Sequence, residues 1–424
     1  MNHFTYQNGE LCCEDVRLQD IAAQVGTPFY LYSSATLKRH FTAFEAGFKG
    51  MAHQTCFAVK ACSNIAILNL FAKLGGGADI VSGGELFRAL KAGVEPLRII
   101  YSGVGKSRRE LAEALQADIL MFNVESPQEL DRLNEVAAEL KTRARIAFRI
   151  NPDVDPKTHA YISTGLAKNK FGIPVTEALQ EYLRAKTMAH IEIVGVSCHI
   201  GSQLTQIEPF IEALRKVKAF IAKLNQEGIQ IKYVDMGGGI GIPYDDEQPP
   251  HPIDYAAAVR AELAGMDCTL ILEPGRVLVG NAGILVTEVQ YTKVNSGGEK
   301  VKRFIIVDAA MNDLARPSLY GAYHEILPVR EPAASGGQLQ EADVVGPICE
   351  SGDFLAKDRP LPDVQPGELL AVMSSGAYGF SMSSTYNSRP RVAEVLVSGG
   401  RFEVIRKREC YDDLVRGEAV SILK

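Results

Sequence analysis

Residues 55–60 (TCFAVK), 77–82 (GADIVS), 98–103 (RIIYSG) and 119–125 (ILMFNVE) are short apolar runs that begin at intervals of roughly 20 residues, the length of one strand–helix unit. Four more follow at 145–151 (RIAFRIN), 192–199 (EIVGVSCH), 231–237 (IKYVDMG) and 269–273 (TLILE). Between them lie amphipathic stretches such as 84–92 (GELFRALKA) and 127–140 (PQELDRLNEVAAEL), with apolar residues at three- and four-residue spacing. A strand that is apolar on nearly every residue has both faces covered, as in a parallel sheet packed between helices. Eight such units predict an α/β fold organised as a (β/α)8 barrel.

The rhythm changes near residue 280. Segments 283–294 (GILVTEVQYTKV), 301–310 (VKRFIIVDAA), 368–373 (ELLAVM) and 391–398 (RVAEVLVS) read as strands without long helices between them, and 330–341 (REPAASGGQLQE) reads as a polar loop. This predicts a C-terminal, mostly antiparallel β domain of sandwich or barrel type, joined by the partly extended N-terminal strand region. The expected organisation is 1–35 as the joining segment, 36–280 as the barrel and 281–424 as the β domain.

Composition narrows the function classes. With 424 residues and a hydrophobic fraction of 46%, the chain can bury a large core. A net charge of −6 gives no general attraction to nucleic acid or to an anionic membrane. The N-terminus, MNHFTYQNGE, lacks the features of a signal peptide, and no apolar run approaches the roughly 20 residues of a membrane span. A cytoplasmic location is expected. The eight cysteines form no CxxC pair, so no metal is expected, and most should be buried and inert.

The chemistry-bearing residues fall at the C-terminal ends of the expected barrel strands, where barrel active sites sit. Lys60 closes the first strand in FAVKACSN, where partial burial would favour the neutral amine needed to form an imine; a strand-end lysine reaching to solvent is the simpler alternative. His199 and Ser202 follow the sixth strand in HIGSQ, and both occur also as ordinary strand-end and turn residues. Gly237, Gly238 and Gly239 in DMGGGIG would let the backbone approach a phosphate, or simply make a turn; the run is neither GxGxxG nor a P-loop. Glu273, Gly275 and Arg276 lie in EPGR after the eighth strand, where an anion site or a structural ion pair would fit. Further on, ARPSLY offers Arg316 and Tyr320, CESGD offers Cys349 and Glu350, and GAYGF offers Tyr378.

Together these motifs are far more specific than any one of them. FAVKACSN, HIGSQ, DMGGGIG, EPGR, ARPSLY, CESGDFLAKDR and GAYGFSMSSTYNSRPR run in order across nearly the whole chain. The chain thereby resembles the alanine-racemase-like, fold type III enzymes of pyridoxal 5'-phosphate (PLP), and among them the diaminopimelate decarboxylases. HAYISTGLAKNKFG at 159–172 is similar to that family's active-site loop. One departure is Cys62, where the family usually has Asn two residues after the cofactor lysine.

The resemblance implies a set of roles. Lys60 would carry PLP as a Schiff base, and Glu273 would pair with the protonated ring nitrogen. Related racemases place an arginine there, so a carboxylate favours decarboxylation. His199 would stack on the ring; Ser202, Gly238, Gly239, Gly275 and Arg276 would hold the phosphate or ring, and Tyr378 would touch the cofactor. Cys349 would return a proton after CO2 leaves. Arg276, Arg316, Tyr320 and Tyr378 would contact the substrate, with the arginines on the second carboxylate of diaminopimelate and Glu350 on its amine. The product would be L-lysine, and the implied assembly is a homodimer with shared active sites. Two alternatives stand beside this reading. One is a sister decarboxylase of another basic amino acid, against which ARPSLY and CESGD argue. The other is a non-catalytic PLP-binding homologue, against which the full set of catalytic positions argues.

Overall fold

A computed structural model describes residues 2–155, 170–297, 301–332 and 339–423. Two compact units divide it: Lys38–Pro243 with Glu247–Leu278, and Met1–Leu37 with Tyr244–Asp246 and Val279–Lys424.

The chain opens with three short strands, β1 (Phe4–Gln7), β2 (Glu10–Cys13) and β3 (Val16–Arg17), then α1 (Leu18–Val25), β4 (Phe29–Ser33) and α2 (Ser34–Gly47). The barrel unit follows. Its strands are β5 (His53–Ala58), β6 (Gly77–Ile80), β7 (Ile99–Tyr101), β8 (Met121–Val124), β9 (Ala144–Asn151), β11 (Ile191–Ser197), β12 (Tyr233–Asp235) and β13 (Thr269–Leu272), with a two-residue strand, β10 (Ile173–Pro174), beside β9. Each barrel strand pairs in parallel with the next, β8 pairs with β9, and β13 pairs with β5, so the ring closes. All eight expected strands are present in the expected order.

Serine and asparagine start the covering helices. Asn64 caps α3 (Ile65–Lys73), Ser82 caps α4 (Gly83–Lys91), and Ser126 caps α6 (Pro127–Glu139). Ser107 and Glu110 form a reciprocal capping box on α5 (Arg108–Gln116). Each cap contributes about 1 kcal/mol by satisfying an N–H that the helix leaves open. The remaining helices are α7 (Val175–Lys186), α8 (Glu208–Gln226) and α9 (Pro252–Glu262). On α8, Phe210, Ala213, Leu214, Val217, Phe220, Ile221 and Leu224 are buried at helical spacing, and each large one contributes roughly 1.5–3 kcal/mol.

The second unit contains β14 (Gly283–Asn295), β15 (Lys302–Val307), β16 (Ile326–Pro328), β17 (Gln340–Val345), β18 (Phe354–Leu361), β19 (Leu369–Val372), β20 (Ala393–Ser398) and β21 (Arg401–Arg406). The main path runs β18-β17-β15-β14-β4-β20-β21, with β19 joined to β14 and β16. Pairing is mostly antiparallel; β15–β17 and β4–β20 are parallel. Phe29 and Leu31 of β4 pack with Ile284, Val286, Val395 and Val397 in its core. The strands β16, β17, β18 and β21 go beyond the sequence expectation, and β17 begins inside the stretch read as loop. The strands β18 and β21 end the sheet path, where charged, half-exposed residues replace an apolar run.

Candidate active site

Strand alternation builds the barrel site. Cys56, Ile100, Met121, Ala147 and Ile271, on five strands, form an apolar layer in one buried cluster. Side chains two residues apart share a face. The next positions on those strands are therefore Ala58, Ser102, Asn123, Arg149 and Glu273. An apolar floor thus gives way to a polar layer near the C-terminal strand ends.

That layer is bonded throughout. The Asn123 amide donates to Asp235 Oδ2 at 2.7 Å and to Glu273 Oε1 at 3.4 Å. Ser102 donates to Glu273 at 3.3 Å, Ser197 donates to Asp235 at 3.2 Å, and the Gly237 N–H donates to Asp235 Oδ1 at 2.9 Å. Burial raises both carboxyls. For Glu273 the nearby Asp235 and Asp79 push further, well above the ordinary carboxylate range.

Lys60 does not end the strand; it sits in the 3-10 turn Val59–Ala61 directly after β5. Its ammonium meets Asp79 Oδ2 at 2.6 Å, and Asp79 is wholly buried in β6. The amine is partly buried, as expected, and is held there in an ion pair. Glu85, in the first turn of α4, is raised to about 7 by burial, which outweighs the opposing pull of the Val81 N–H bond and of Lys60.

The other motifs pack around this turn. Gly275 lies so close that a Cβ there would meet Ala58 and Ala61 Cβ at 3.1 Å. At Gly238 a Cβ would meet the Glu273 carbonyl at 2.1 Å, and at Gly239 (φ +119°) the Gly201 carbonyl at 2.5 Å. These glycines are required by close contact between the loops themselves, a reason the sequence reading did not supply. His199 accepts the Gly238 N–H at Nδ1 (3.3 Å), and burial with the Arg149 and Lys60 cations holds its ring neutral. Arg276 donates to Ser202 Oγ at 3.1 Å. Cys62, two residues after Lys60, and Cys198, just before His199, are both buried, and burial pushes the Cys198 thiol up to about 12.

Of the loop at 159–172, only Lys170, Phe171 and Gly172 lie among the described residues. Phe171 lies under the Arg149 guanidinium (4.7 Å), and the Gly172 N–H donates to Glu125 at 2.8 Å. Glu125 also pairs with Arg149 at 3.0 Å.

The β unit carries its own cluster. Arg316 opens the short helix Arg316–Tyr320 and is buried; Tyr320 is half-buried. Ser318 of this helix donates to the Gly352 carbonyl at 2.6 Å, which ties it to the CESGD loop. Asp353 holds that loop by accepting the Met311 and Ile348 N–H groups at 2.8 and 2.7 Å. Cys349 and Glu350 project from it exposed; the Cys349 N–H donates to Asn387, and Tyr386 donates to Glu350 at 2.9 Å. Tyr378 has φ +56°, a left-handed conformation that a non-glycine residue holds only under constraint.

Sequence reasoning missed Asp79, Asn123, Arg149, Asp235 and Asp353. For the first four the signal was position, a polar residue within an apolar strand run; Asp353 ends the CESGD motif, beside the residues singled out there.

Comparison with known proteins follows this geometry. Residues 34–280 match the family described as pyridoxal-dependent decarboxylase, pyridoxal binding domain. The chain is 53% identical over 414 residues to diaminopimelate decarboxylase of Aquifex aeolicus, covering 97% of this chain and 96% of that protein. It is similar to the crystal structure of diaminopimelate decarboxylase from Helicobacter pylori complexed with L-lysine (TM-score 0.90, 47% identity, 94% and 98% coverage). It is also similar to the enzyme of that name from M. jannaschii in co-complex with L-lysine (TM-score 0.93, 40% identity, 99% of both chains).

Proposed function

This chain belongs to the pyridoxal-dependent decarboxylases, in the diaminopimelate decarboxylase group, and on that premise we propose that it converts meso-2,6-diaminopimelate to L-lysine and CO2, the last step of lysine biosynthesis. One observation carries the substrate assignment. The helix bearing Arg316 and Tyr320 is hydrogen-bonded to the loop bearing Cys349 and Glu350. A single framework thus presents a cation suited to a carboxylate and an anion suited to an amine, the two groups at the far end of diaminopimelate. Losing one such charged contact costs about 1.5–3 kcal/mol, roughly 10–150-fold in specificity.

The barrel residues fit PLP. Glu273 is a buried carboxyl, whose carboxylate form would accept from a protonated ring nitrogen and keep it charged, and Lys60 lies on a turn packed against Gly275. Lys60, His199, Ser202, Gly238, Gly239, Glu273, Gly275 and Arg276 would hold the cofactor, with Tyr378 from the β unit. When bound, PLP supplies an electron sink for the electron pair released as CO2 departs. Asp79 orients the Lys60 ammonium and accepts its hydrogen bond. The Glu273 carboxylate would hold the ring nitrogen in its protonated form, and Asn123 and Ser102 keep Glu273 in place. Arg276 and Arg316 bind the distal carboxylate, and Glu350 binds the distal amine. The Cys349 thiol then gives its proton to the carbon that lost CO2.

The proposed working form is a cytoplasmic homodimer in which Lys60 of one chain serves a site completed by Cys349 and Glu350 of the other. The exposure of both residues in the single chain supports this. Mixing Lys60→Ala and Cys349→Ala chains should then restore about a quarter of wild-type activity, because random pairing makes half the dimers mixed, each with one intact site. No recovery in proven mixed dimers would count against sharing. The primary test supplies the PLP-loaded protein with meso-diaminopimelate, L-ornithine, L-arginine and L-lysine and assays CO2 and lysine. Lysine formed only from diaminopimelate supports the proposal; CO2 from another substrate overturns the specificity assignment.

A further inference from the structure

His324 lies four residues beyond Tyr320, outside every motif used above, and it is wholly buried. Its Nδ1 is 2.8 Å from the Met373 carbonyl oxygen, which can only accept a hydrogen bond. Its Nε2 is 2.9 Å from Arg316 Nη1, and a guanidinium can only donate. The two neighbours therefore fix the tautomer: the proton sits on Nδ1, and the Nε2 lone pair receives the arginine. The Arg316 guanidinium also lies 4.4 Å above the Tyr244 ring, which meets the His324 ring edge-on at 76°. The backbone around His324 is pinned as well. Arg359 donates to the His324 carbonyl at 2.8 Å, and the Met373 N–H donates to the Glu325 carbonyl at 2.8 Å.

We propose that His324 is a positioning residue for substrate specificity, one that acts by holding Arg316 in the orientation that receives the distal carboxylate. The inference rests on the proposed role of Arg316. An imidazole suits the task because it anchors one edge of the guanidinium without neutralising its charge, as a carboxylate anchor would do. The Tyr244 face fixes the plane, His324 fixes the rotation within it, and the Met373 carbonyl fixes His324.

The test uses the PLP-loaded protein and two ligands, L-lysine and 1,5-diaminopentane, which differ only in the carboxylate that Arg316 would bind. Two substitutions separate the two nitrogens. In His324→Asn the amide N–H replaces Nδ1 and keeps the Met373 bond, but the acceptor at the Nε2 position is lost. In His324→Gln a carbonyl oxygen reaches the Nε2 position and can accept. The expected result is that His324→Asn raises the Kd of L-lysine about 10-fold and that of diaminopentane less than about twofold, while His324→Gln recovers most of the loss. The KM for diaminopimelate should rise with the lysine Kd, with kcat little changed. Unchanged lysine affinity in folded His324→Asn, or equal weakening of both ligands, overturns the inference. If Arg316→Ala also fails to discriminate between the two ligands, the role of Arg316 itself falls. Should His324→Asn not fold, Tyr244→Leu carries the same test through the other contact: a selective loss of lysine binding supports the positioning scheme, and none overturns it.

Discussion

The barrel and the β unit handle their reactive groups in opposite ways. In the barrel, Asp79, Asp235 and Glu273 are buried at the strand ends, and burial and neighbouring carboxylates raise the pKa of Asp235 and Glu273. In the β unit, Cys349 and Glu350 stand exposed on a loop whose backbone is held by Asp353, with Tyr386 bonded to the Glu350 carboxylate. The first arrangement tunes chemistry in advance through a low-dielectric interior. The second fixes position and leaves the reactive atoms open to whatever docks there. One region supplies proton affinity, the other placement.

The largest expected effect tests placement. Cys349→Ala should lower kcat about 10²–10⁴-fold while leaving cofactor absorbance unchanged, because the thiol is the proposed proton donor and not a proposed cofactor ligand. A loss below tenfold would mean that the exposed loop does not deliver the proton. Tuning comes next. Glu273→Gln keeps the shape but removes the carboxylate charge that would stabilise a protonated ring nitrogen, and kcat should fall about 10²–10³-fold with a shifted absorption band of the bound cofactor. An unshifted band would detach Glu273 from the ring nitrogen.

A third experiment probes how tightly the barrel loops are packed. Gly238→Ala places a methyl group 2.1 Å from the Glu273 carbonyl and should destabilise the protein by about 1–3 kcal/mol in urea unfolding. The smallest effect comes from the barrel's other end. His53 lies 3.3 Å from Glu45. The Glu45 hydrogen bond raises the His53 pKa, and although burial raises Glu45, bonds from His53 and Thr55 pull it below its usual value. A raised histidine stabilises the fold fully below its unfolded pKa near 6.5, and that contribution fades as pH rises through the folded value. A lowered glutamate stabilises above its unfolded value near 4.5 and loses this as pH falls. Stability from the pair therefore peaks between roughly pH 4.5 and 6.5, with a size below about 1 kcal/mol. Thermal melts of His53→Gln should lose that pH dependence; an unaltered profile would remove the pair from the balance.

The same contrast governs what could be read in advance. Runs such as ILMFNVE and TLILE declare barrel strands because a covered parallel strand is apolar on both faces. Asn123 and Glu273 sit inside or at the end of those runs, so an i+2 reading from Met121 and Ile271 was available for both. The partners were not, since the Asn123–Asp235 bond joins residues far apart in sequence and depends on barrel closure. The edge strands β18 and β21 escaped because an exposed edge carries charge in place of an apolar stripe. His324 was invisible for a related reason: a lone histidine shows neither its burial nor the arginine it faces.

The strand β4 also sets the order in which the protein can be made. Phe29 lies opposite Ala393 in the finished sheet, so a strand synthesised first waits for one synthesised almost last. At roughly 5–20 residues per second, the barrel segment leaves the ribosome and can close while FYLYS is still unpartnered. For tens of seconds the nascent chain presents an apolar ribbon with open edges, the kind of surface on which polypeptides stick to one another. Yield in the cell should thus depend on chaperone supply and on the presence of β20, since a chain that stops before it never covers one edge of β4.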